Sequence, residues 1–546
     1  MFRHPNHFVL AAVFILAVAV TSCVLPGSRN TNNPDNTTNP EAEVILPAVT
    51  ATQASLATPE PAPQGLSTPI SVGPDQSDFP AGYNPLTGKP AEDKSSLDLP
   101  AMLLSISNFS AVARPQAGLS FADFVYEFTI TAGENRFLGV FYGDPPHTEI
   151  PPTGGCDVRT GAFTQTGALI GNWVWHDVNK NGTQDIGERG VGGVCVKLLD
   201  GSGALLQETT TDTNGYYGFN AEAGKYIIEV IKPVGWGFSE SNLGNDDQDS
   251  DVDQDSGRMD AEISSNDLFL DAGLIPLSED VLTPDTSVKP PKAEVGPIRS
   301  GRIFYSYLAG MYPDSCLVYA FASEEVLDKI PHCSMVAHED AGGGSMMTID
   351  RFKAVANDNG KSNNFNYASN LFADVPPTSG VPASQIDIFW ANLNQAAWMY
   401  DPLYGAYLRF VDNSDKKTPG LLHPDTDRLT GRQLYFENFI VLFADHTAIS
   451  PTIIDIDIDL GANGPALLFR DGGQYSIRWS TKGGTYEKQT GKRRPMQFLN
   501  ADGTPAALKP GHTWVMMVTP FSLVEEKSPG IWRIRYYRVE GEASGG

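Results

Sequence analysis

Residues 176–190 read HDVNKNGTQDIGERG and carry oxygen-bearing side chains at alternate positions around a glycine. This spacing is that of the twelve-residue calcium loop of EF-hand proteins. The flanking segments, ALIGNWVWHD before it and GVCVKLLDGSGALLQETT after it, show instead the short alternating runs and turn signals of strands. The stretch therefore predicts a calcium loop within an all-β domain.

The loop fills every ligand position of the calcium pattern. The predicted ligands are Asp177, Asn179, Asn181, Thr183 through its carbonyl, Asp185 and Glu188. Alternate oxygens converge on one hard cation, and Gly182 allows a sharp turn that a side chain would block. The alternative is a solvated turn that holds no ion.

The region around the loop has the composition of a separate domain. Residues 168–274 contain 19 Asp and Glu but six Lys and Arg. Two stretches rich in proline and in threonine or glycine, DPPHTEIPPTGG and LIPLSEDVLTPDTSVKPPKAEVG, flank it. Such a shift in composition between two linkers indicates a domain boundary on each side.

Four motifs in this region occur together in a known family. They are GNWVWHDVNKNGTQDIGERGVGGVCVKLLD, TDTNGYYGF, GNDDQDSDVDQDSG and DLFLDAG. Residues 168–274 resemble the B-type repeat of serine-aspartate-repeat surface adhesins. The resemblance implies an Ig-like sandwich that calcium makes rigid and that serves as a spacer.

The same resemblance implies a second calcium site in the acidic run of the segment. Its candidate ligands are Asp249, Asp251, Asp253 and Asp255. Taken without the resemblance, the run is equally well explained as a solvated acidic loop. Calcium is thus the one cofactor that the sequence predicts.

The overall charge limits the class of partner. The formal net charge is −27 at pH 7. A protein that binds nucleic acid needs a basic face to neutralise the phosphates, so we expect no nucleic-acid partner. Calcium and cationic partners remain compatible with this charge.

The first residues predict export. Arg3 precedes the apolar run FVLAAVFILAVAV, which has the length of a signal-peptide core and is too short to cross a bilayer. The following VTSC resembles a bacterial lipobox, which implies a signal peptide over residues 1–22 and lipidation of Cys23. Residues 23–80, rich in Pro, Thr and Asn, then predict a disordered tether on the outer face of the membrane. The alternative is an ordinary secretory signal.

The segments on both sides of the insert resemble the YerB-like family of bacterial lipoproteins, whose domain has no assigned function. The motifs include YNPLTGKP, ARPQAGLSFADFVYEF, NRFLGVF, VGPIRSGRIFY, YDPLYGAYLRF, LTGRQLYFENFIVLF and LKPGHTWVMMV. The sequence departs from that family near NNFNYASNLF, where Asn363 and Asn364 stand in a stretch expected to contain a histidine.

The predicted fold class is mixed. We expect an α/β N-terminal host domain formed by residues 81–144 and 295–425, and a mainly-β C-terminal domain over 428–520. An all-β Ig-like sandwich over 168–274 is inserted into the first of these, at the kind of exposed loop that tolerates insertion.

Four cysteines follow the predicted leader and lipidation site: Cys156, Cys195, Cys316 and Cys333. An even number in an exported chain predicts disulfides, although three pairings exist. Closeness in sequence favours Cys156 with Cys195 and Cys316 with Cys333. Their spacing does not match a zinc site.

Arginines are the candidate ligand-binding residues of the host. They are Arg114, Arg136, Arg299 and Arg302. Arginines that converge on a cleft bind phosphate or carboxylate groups through paired hydrogen bonds. The alternative is that they form structural salt bridges with Asp123 and Glu127. The segments around Ser345 and His338–Asp340 match neither a hydrolase elbow nor a metalloprotease motif.

Two functions follow from these features. The first is a lipid-anchored surface protein that binds or scaffolds without catalysis, with a cell-wall polymer or an envelope protein as its partner. The second is an envelope enzyme that acts on a phosphate- or sugar-containing polymer. In the second, the arginines hold the anion, and Asp123 or Glu127 acts as the acid-base group.

Overall fold

The computed structural model describes most of the chain from residue 70 onward. The described residues are 70–109, 111–149, 156, 168–185, 188–212, 214–277, 291–331, 333–335, 345–359, 365–401, 404–414, 416–417 and 419–543. The predicted signal peptide, Cys23 and nearly all of the predicted tether lie outside these residues, as do Asn363, Asn364 and the His338–Asp340 segment.

Strands form most of the described structure. Before the insert they are β1 Ser71–Val72, β2 Tyr83–Asn84, β3 Lys89–Pro90, β4 Met102–Ser107, β5 Phe124–Thr131 and β6 Glu134–Phe141. In the insert they are β7 Ala168–His176, β8 Cys195–Asp200, β9 Leu205–Thr210, β10 Tyr216–Ala221, β11 Gly224–Ile231, β12 Trp236–Phe238, β13 Arg258–Ile263 and β14 Ala272–Pro276.

The remaining strands follow the insert. They are β15 Glu294–Ile298, β16 Cys316–Tyr319, β17 Ser334–Met335, β18 Ser345–Thr348, β19 Leu371–Ala373, β20 Val381–Ala391, β21 Asn394–Asp401, β22 Ala406–Asp412, β23 Leu422–Pro424, β24 Tyr435–Phe436, β25 Asn438–Phe443, β26 His446–Ser450, β27 Ile453–Ile456, β28 Asn463–Arg470, β29 Gly473–Ser480, β30 Gln497–Leu499, β31 Ala507–Leu508, β32 Thr513–Val518, β33 Leu523–Ser528 and β34 Gly530–Arg535.

Helices are short. The α-helices are α1 Tyr305–Met311, α2 Glu324–Leu327, α3 Ile349–Asn359 and α4 Thr485–Thr490, and the 3-10 helices are Gln76–Asp78, Lys94–Asp98, Ala111–Ala113 and Leu119–Phe121. Among the described residues, none of these helices has both the length and the apolar character needed to cross a bilayer.

The host is built on a sheet that joins its beginning to its end. In this sheet β4 pairs with β6 and β6 with β5, all antiparallel. Strand β5 then pairs in parallel with β32, and β32 with β25, although nearly 400 residues separate Glu127 from its partner Met516. Strands β28 and β29 extend the sheet beyond β25 as an antiparallel hairpin. The strands on both sides of the insert therefore fold together.

Both faces of this sheet are covered. In β5, Phe124, Tyr126 and Phe128 pack into one hydrophobic cluster, while Val125 between them packs into another. Side chains of a strand alternate between faces, so burial on both faces produces a nearly continuous apolar run. This explains why FVYEFTIT reads as a strand without a polar face.

The prediction of a mixed fold holds only in part. The described chain is mostly β, and an α/β N-terminal domain is not shown. An α/β layer requires helices that cross between parallel strands, whereas β5 and β6 form an antiparallel hairpin. The apolar run IFYSYLAGMY does form a helix, but α1 is seven residues long and too short to act as such a layer.

The insert is a sandwich of two four-stranded sheets. Their strand orders are β10-β7-β14-β12 and β13-β11-β8-β9. In β13, Met259, Ala261 and Ile263 are buried in the core between the sheets, and the residues between them are exposed. Leu198 and Ile228 from the same sheet pack into that core. The predicted all-β insert agrees with this arrangement.

The cysteines lie in two pairs. Cys156, just before the insert, is joined to Cys195 at the start of β8, with 4.8 Å between their Cα atoms. Cys316, at the start of β16, is joined to Cys333, with 5.3 Å between their Cα atoms. The first disulfide fastens the linker segment to the sandwich, and the second closes a loop of the host.

Candidate calcium site and arginine cluster

Asp177 organises the turn that follows β7. Its side chain is fully buried, and its carboxylate accepts hydrogen bonds from the backbone N–H groups of Asn181 and Gly182, at 3.2 and 2.9 Å. Gly182 has a φ of +76°, and a Cβ at this position would collide with the carbonyl oxygen of Glu240. The glycine therefore sets the curvature of the loop, as its place in the calcium pattern predicts.

The other predicted side-chain ligands face the same turn. The side-chain amide nitrogens of Asn179 and Asn181 lie 2.6 and 2.7 Å from Oδ2 of Asp185. The carboxylate of Glu188 accepts hydrogen bonds from the backbone of Val178 at 2.7 Å and of Asp185 at 3.0 Å. Rotation of an Asn amide exchanges its oxygen and nitrogen, so these groups can present oxygens to a cation.

A second group of carboxylates lies in the loop between β12 and β13. The side-chain oxygens of Asp246, Asp249 and Asp251 lie within 4.8 Å of one another. Asp249 is 4% exposed, and its Oδ2 accepts a hydrogen bond from the backbone of Gly244 at 2.9 Å. Its other oxygen, Oδ1, is buried and has no hydrogen-bond partner in the described part of the chain. Burying a carboxylate oxygen without a hydrogen-bond partner costs free energy, and a bound cation would offset that cost.

Burial and mutual repulsion both disfavour the charged forms of this acidic group. Burial raises the pKa of Asp251 to about 7, and the neighbouring carboxylates of Asp249 and Asp246 add to this rise. The hydrogen bond that the carboxylate of Asp251 accepts from the backbone of Asp271 acts in the opposite direction. Burial, with the charges of Asp251 and Asp249, also raises the pKa of Asp271 well above its usual range. A bound divalent cation would relieve both effects.

The two loops form one unit. The backbone N–H of Ser250 donates to the carbonyl of Gly182 at 3.1 Å, and that of Gln184 donates to the carbonyl of Gln248 at 2.6 Å. Thr183 pairs with Asp249 in an isolated β-bridge between these bonds. A cation in either loop would therefore hold both.

The structure groups the predicted second-site residues differently from the sequence. Asp253 is exposed and accepts hydrogen bonds from the backbone and hydroxyl of Ser256, and Asp255 is exposed as well. The residues that join Asp249 and Asp251 instead are Asp246, from the same acidic run, and Asp271, which follows in DLFLDAG. The resemblance implied Asp253 and Asp255 as members of the acidic run, whereas only the fold brings Asp271 near.

Arg136 is the most deeply placed arginine of the candidate anion site. It lies on β6, is 4% exposed, and its Nη1 donates to the carbonyl and hydroxyl oxygens of Ser300, at 3.0 and 2.9 Å. Its Nε is buried and has no hydrogen-bond partner among the described residues. Burial and the nearby charge of Arg302 lower the pKa of Arg136 well below its usual range.

Arg299 and Arg302 come from the turn after β15 and face the same region. The Nη1 of Arg302 donates to the carbonyl of Thr452 at 3.3 Å, and its Nε is buried and has no hydrogen-bond partner among the residues that the structure describes. Glu134 is the nearby carboxylate: burial raises its pKa, and the charges of Arg136, Arg299 and Arg302 oppose that rise. In the described residues, neither Arg136 nor Arg302 forms an ion pair with a carboxylate.

Arg114 belongs to a different part of the host. Its guanidinium forms an ion pair with Asp412 at 3.3 Å and donates to the backbone carbonyl and side-chain oxygen of Asn108, each at 3.0 Å. It is therefore a structural residue in this fold. Of the four candidate arginines, the structure brings Arg136, Arg299 and Arg302 together.

Asp123 and Glu127 do not pair with these arginines. Asp123 accepts hydrogen bonds from the side chain of Asn84 and the backbone of Tyr142, both at 2.6 Å. Glu127 accepts from Asn135 and from the indole nitrogens of Trp390 and Trp514, the latter two at 2.8 Å. Both carboxylates are buried and already accept hydrogen bonds.

Ser345 is buried in β18.

The insert is docked onto the host through side-chain contacts. Arg432 of the host donates to Asn214 of the insert at 2.8 Å, and the hydroxyl of Tyr404 donates to Asp212. Arg189, the residue after the last predicted calcium ligand, forms an ion pair with Glu92 of the host at 2.9 Å. The loop with the calcium pattern is therefore one residue away from a contact with the host.

Three family models match this sequence, each over its own segment. Residues 168–274 match the SdrD B-like domain. Residues 86–153 match the N-terminal domain, and residues 386–515 the C-terminal domain, of a protein of unknown function, DUF3048. The SdrD B-like match thus lies between the matches to the two DUF3048 domains, and the predicted resemblances are confirmed.

Curated relatives match the insert. Serine-aspartate repeat-containing protein F of Staphylococcus epidermidis is 43% identical over 103 residues, which cover 19% of this chain and 6% of that protein. A fibrinogen-binding protein of Staphylococcus epidermidis is 41% identical over 96 residues, covering 17% and 9%. Serine-aspartate repeat-containing protein C of Staphylococcus aureus (strain Newman) is 41% identical over 106 residues, covering 19% and 11%. The chain thus spans a small fraction of each relative.

A solved structure resembles the chain more broadly. The YerB protein from Bacillus subtilis aligns over 80% of this chain and 96% of its own, with a TM-score of 0.42 and 16% sequence identity.

Proposed function

We propose that this chain is a surface-associated binding or scaffold protein of the bacterial envelope, in which a calcium-stiffened sandwich is fixed to a DUF3048 host. The observation that carries the proposal is the buried, unpartnered Oδ1 of Asp249 inside a group of carboxylates that is bonded to the calcium-pattern loop. The SdrD B-like match over the same residues supports it.

The donor set fits calcium. Calcium prefers six to eight oxygen ligands from carboxylates, amides and backbone carbonyls. One ion would be held by the loop residues Asp177, Asn179, Asn181, Thr183, Asp185 and Glu188. A second would be held by Asp246, Asp249 and Asp251, with Asp271 beside them. The ion supplies charge compensation and rigidity.

In this proposal, calcium holds the two loops of the insert together and, through them, stabilises the contact between the insert and the host. Backbone hydrogen bonds join Ser250 to Gly182 and Gln184 to Gln248. Ordering of one loop would therefore also order the other. The ion pair from Arg189 to Glu92, with the contacts of Tyr404 and Arg432, connects the stiffened loops to the host. The insert would then present the host at a fixed angle, which a loose spacer would not do.

The host acts by binding rather than by catalysis in this account. Asp123 and Glu127, the carboxylates that an acid-base mechanism would use, are buried and engaged by amide and indole groups. A general acid or base must reach the proton that it transfers. Their contacts therefore favour a structural role.

Anchoring through Cys23 would place the protein on the outer face of the cell membrane. Lipidation at the predicted lipobox gives a membrane anchor, and residues 23–80 would extend the folded part away from the surface. The partners would then be components of the wall or envelope.

We expect a Cys23→Ser variant to lose lipidation and to accumulate as the uncleaved precursor, because a lipoprotein signal peptidase cuts just before a lipidated cysteine. The uncleaved apolar segment would keep this variant on the membrane, so its size and its lipid content are the informative readouts. Immunoblotting, lipid labelling and protease treatment of intact cells measure processing, lipidation and location. A Ser28→Ala variant leaves the lipobox intact and should behave as the wild type. Wild-type protein that carries no lipid label or resists protease on intact cells, or a Cys23→Ser variant that is processed and lipidated as the wild type, would contradict the proposal.

A further inference from the structure

The host places three arginines close together. Arg136, Arg299 and Arg302 act electrostatically on one another and on the carboxylate of Glu134. In the described part of the chain, neither Arg136 nor Arg302 forms an ion pair with a carboxylate. A buried guanidinium that lacks a counter-charge is costly, so the surroundings of Arg136 and Arg302 favour the binding of an anion.

Hydrogen-bonding capacity in the cluster is also left unused. Within the described ranges, the Nε atoms of Arg136 and Arg302 are both buried without partners, although each belongs to a group with five donors. The donors that are used bind neutral oxygens: Arg136 binds Ser300, and Arg302 binds the carbonyl of Thr452. A ligand with several oxygens would satisfy the remaining donors.

The cluster is held in place by the fold. Arg136 lies on β6 opposite Ser107 of β4, and the backbone N–H of Arg299 donates to the carbonyl of Ser105 at 2.8 Å. The hydroxyl of Ser105 contacts the buried hydroxyl of Tyr305 at 2.9 Å. Two sheet strands and the start of α1 thus fix the arginines before any ligand arrives, which lowers the entropic cost of binding.

We propose that Arg136, Arg299 and Arg302, with the hydroxyl of Ser300, form a binding site for a phosphate group. A tetrahedral phosphate offers oxygens in several directions and can accept from three guanidinium groups, whereas a planar carboxylate is matched by a single fork. Arg136 is buried, whereas Arg299 and Arg302 are half-buried and so remain partly open to solvent. This inference deepens the proposed binding role of the host by naming its ligand class.

Binding of inorganic phosphate to purified full-length protein tests the site. We expect isothermal titration calorimetry to detect phosphate at constant ionic strength, with acetate and chloride weaker than phosphate. Arg302→Gln should weaken phosphate binding by about tenfold or more, because a charge-assisted fork is lost. Arg351→Gln removes an equal charge from an exposed position of α3 and should leave binding unchanged.

Arg302 is half-buried, so its substitution should preserve the fold, and the circular dichroism spectrum and the unfolding transition of the host check this in the same sample. Arg136→Lys is a second variant. It keeps the positive charge but removes the paired N–H donors of the guanidinium group, so it should also weaken phosphate binding. Equal phosphate affinity in wild type and Arg302→Gln, acetate binding tighter than phosphate, or no phosphate binding would each overturn the site. None of these results would alter the calcium response of the insert, so the two proposals fail separately.

Two further titrations distinguish the sources of the phosphate. A soluble poly(glycerol phosphate) and vesicles of phosphatidylglycerol, with phosphatidylcholine vesicles as the neutral control, present phosphodiesters in solution and on a surface. If the wild type binds the polymer or the anionic vesicles and Arg302→Gln does not, that ligand is a source of phosphate for the site. If Arg302→Gln still binds both the polymer and the vesicles, the assignment of the site is wrong.

Discussion

Asp177→Ala is expected to abolish calcium binding in the loop and to lower the unfolding temperature of the insert in the presence of calcium. The substitution removes the first ligand of the pattern and leaves the N–H groups of Asn181 and Gly182 without their acceptor. At a calcium concentration of a few hundred times Kd, the lost stabilisation is about 3 kcal/mol. Scanning calorimetry with calcium and with chelator measures it.

Two variants separate ligation from loop structure. Asp177→Asn keeps an acceptor for the backbone N–H groups but removes the charge, so its loss should appear mainly when calcium is present. Asp255→Ala removes an exposed carboxylate from the acidic run between β12 and β13, and it should leave the calcium response unchanged. A calcium response in Asp177→Ala that is as large as in the wild type would show that the loop is not a ligand site.

Asp425→Ala is expected to destabilise the host by about 3 to 5 kcal/mol, because it leaves a buried guanidinium without its counter-charge. Asp425 forms an ion pair with Arg409, and both side chains are almost completely buried. The guanidinium carbon of Arg409 lies 4.9 Å from the ring centre of Trp514 and 5.3 Å from that of Phe137. Burial lowers the pKa of Arg409 to about 10, so the group remains charged at neutral pH.

The control for this prediction is an exposed pair of the same chemistry. Lys329 and Glu325 lie 4.0 Å apart on the surface, with about half of each side chain exposed. Glu325→Ala should therefore change the free energy of unfolding by less than about 0.5 kcal/mol. The double variant Arg409→Met with Asp425→Leu should recover much of the lost stability, because it removes both charges. Equal effects of Asp425→Ala and Glu325→Ala in denaturant titrations would refute the importance of the buried pair.

Local spacing was sufficient to predict the loop at 176–190. Its candidate ligands lie within twelve residues, and the conformation that gathers them is set by Asp177 and Gly182 within the same segment. The all-β character of the insert was readable for a similar reason, since alternation in each strand reflects a sheet with one buried face. Both predictions depend on neighbours in sequence.

Contacts across long distances in sequence were not readable. Asp271 joins Asp249 and Asp251 only because β14 pairs with β7 beside the acidic loop. Glu127 is engaged by Trp390 and Trp514, which lie 263 and 387 residues further along the chain. The sequence offered arginines as partners for this carboxylate, since charge is visible in a sequence and an indole donor in the right place is not.

The host arginines show the same limit. Arg114 and Arg136 stand in neighbouring motifs, yet one is paired with Asp412 and the other is not paired with a carboxylate. The two arginines differ because the end of β22 lies beside Arg114, whereas the turn after β15 lies beside Arg136. The helical content of the host was overestimated for a related reason, because short apolar runs do not reveal the sheet that they pack against.

Calorimetric unfolding of the full-length protein with excess calcium and with chelator, followed by metal counting on the dialysed protein, tests the central claim most directly. The account predicts that calcium raises one unfolding transition and that at least one calcium ion remains bound per chain. A transition that is the same with calcium and with chelator, in a protein that retains no calcium, would contradict it.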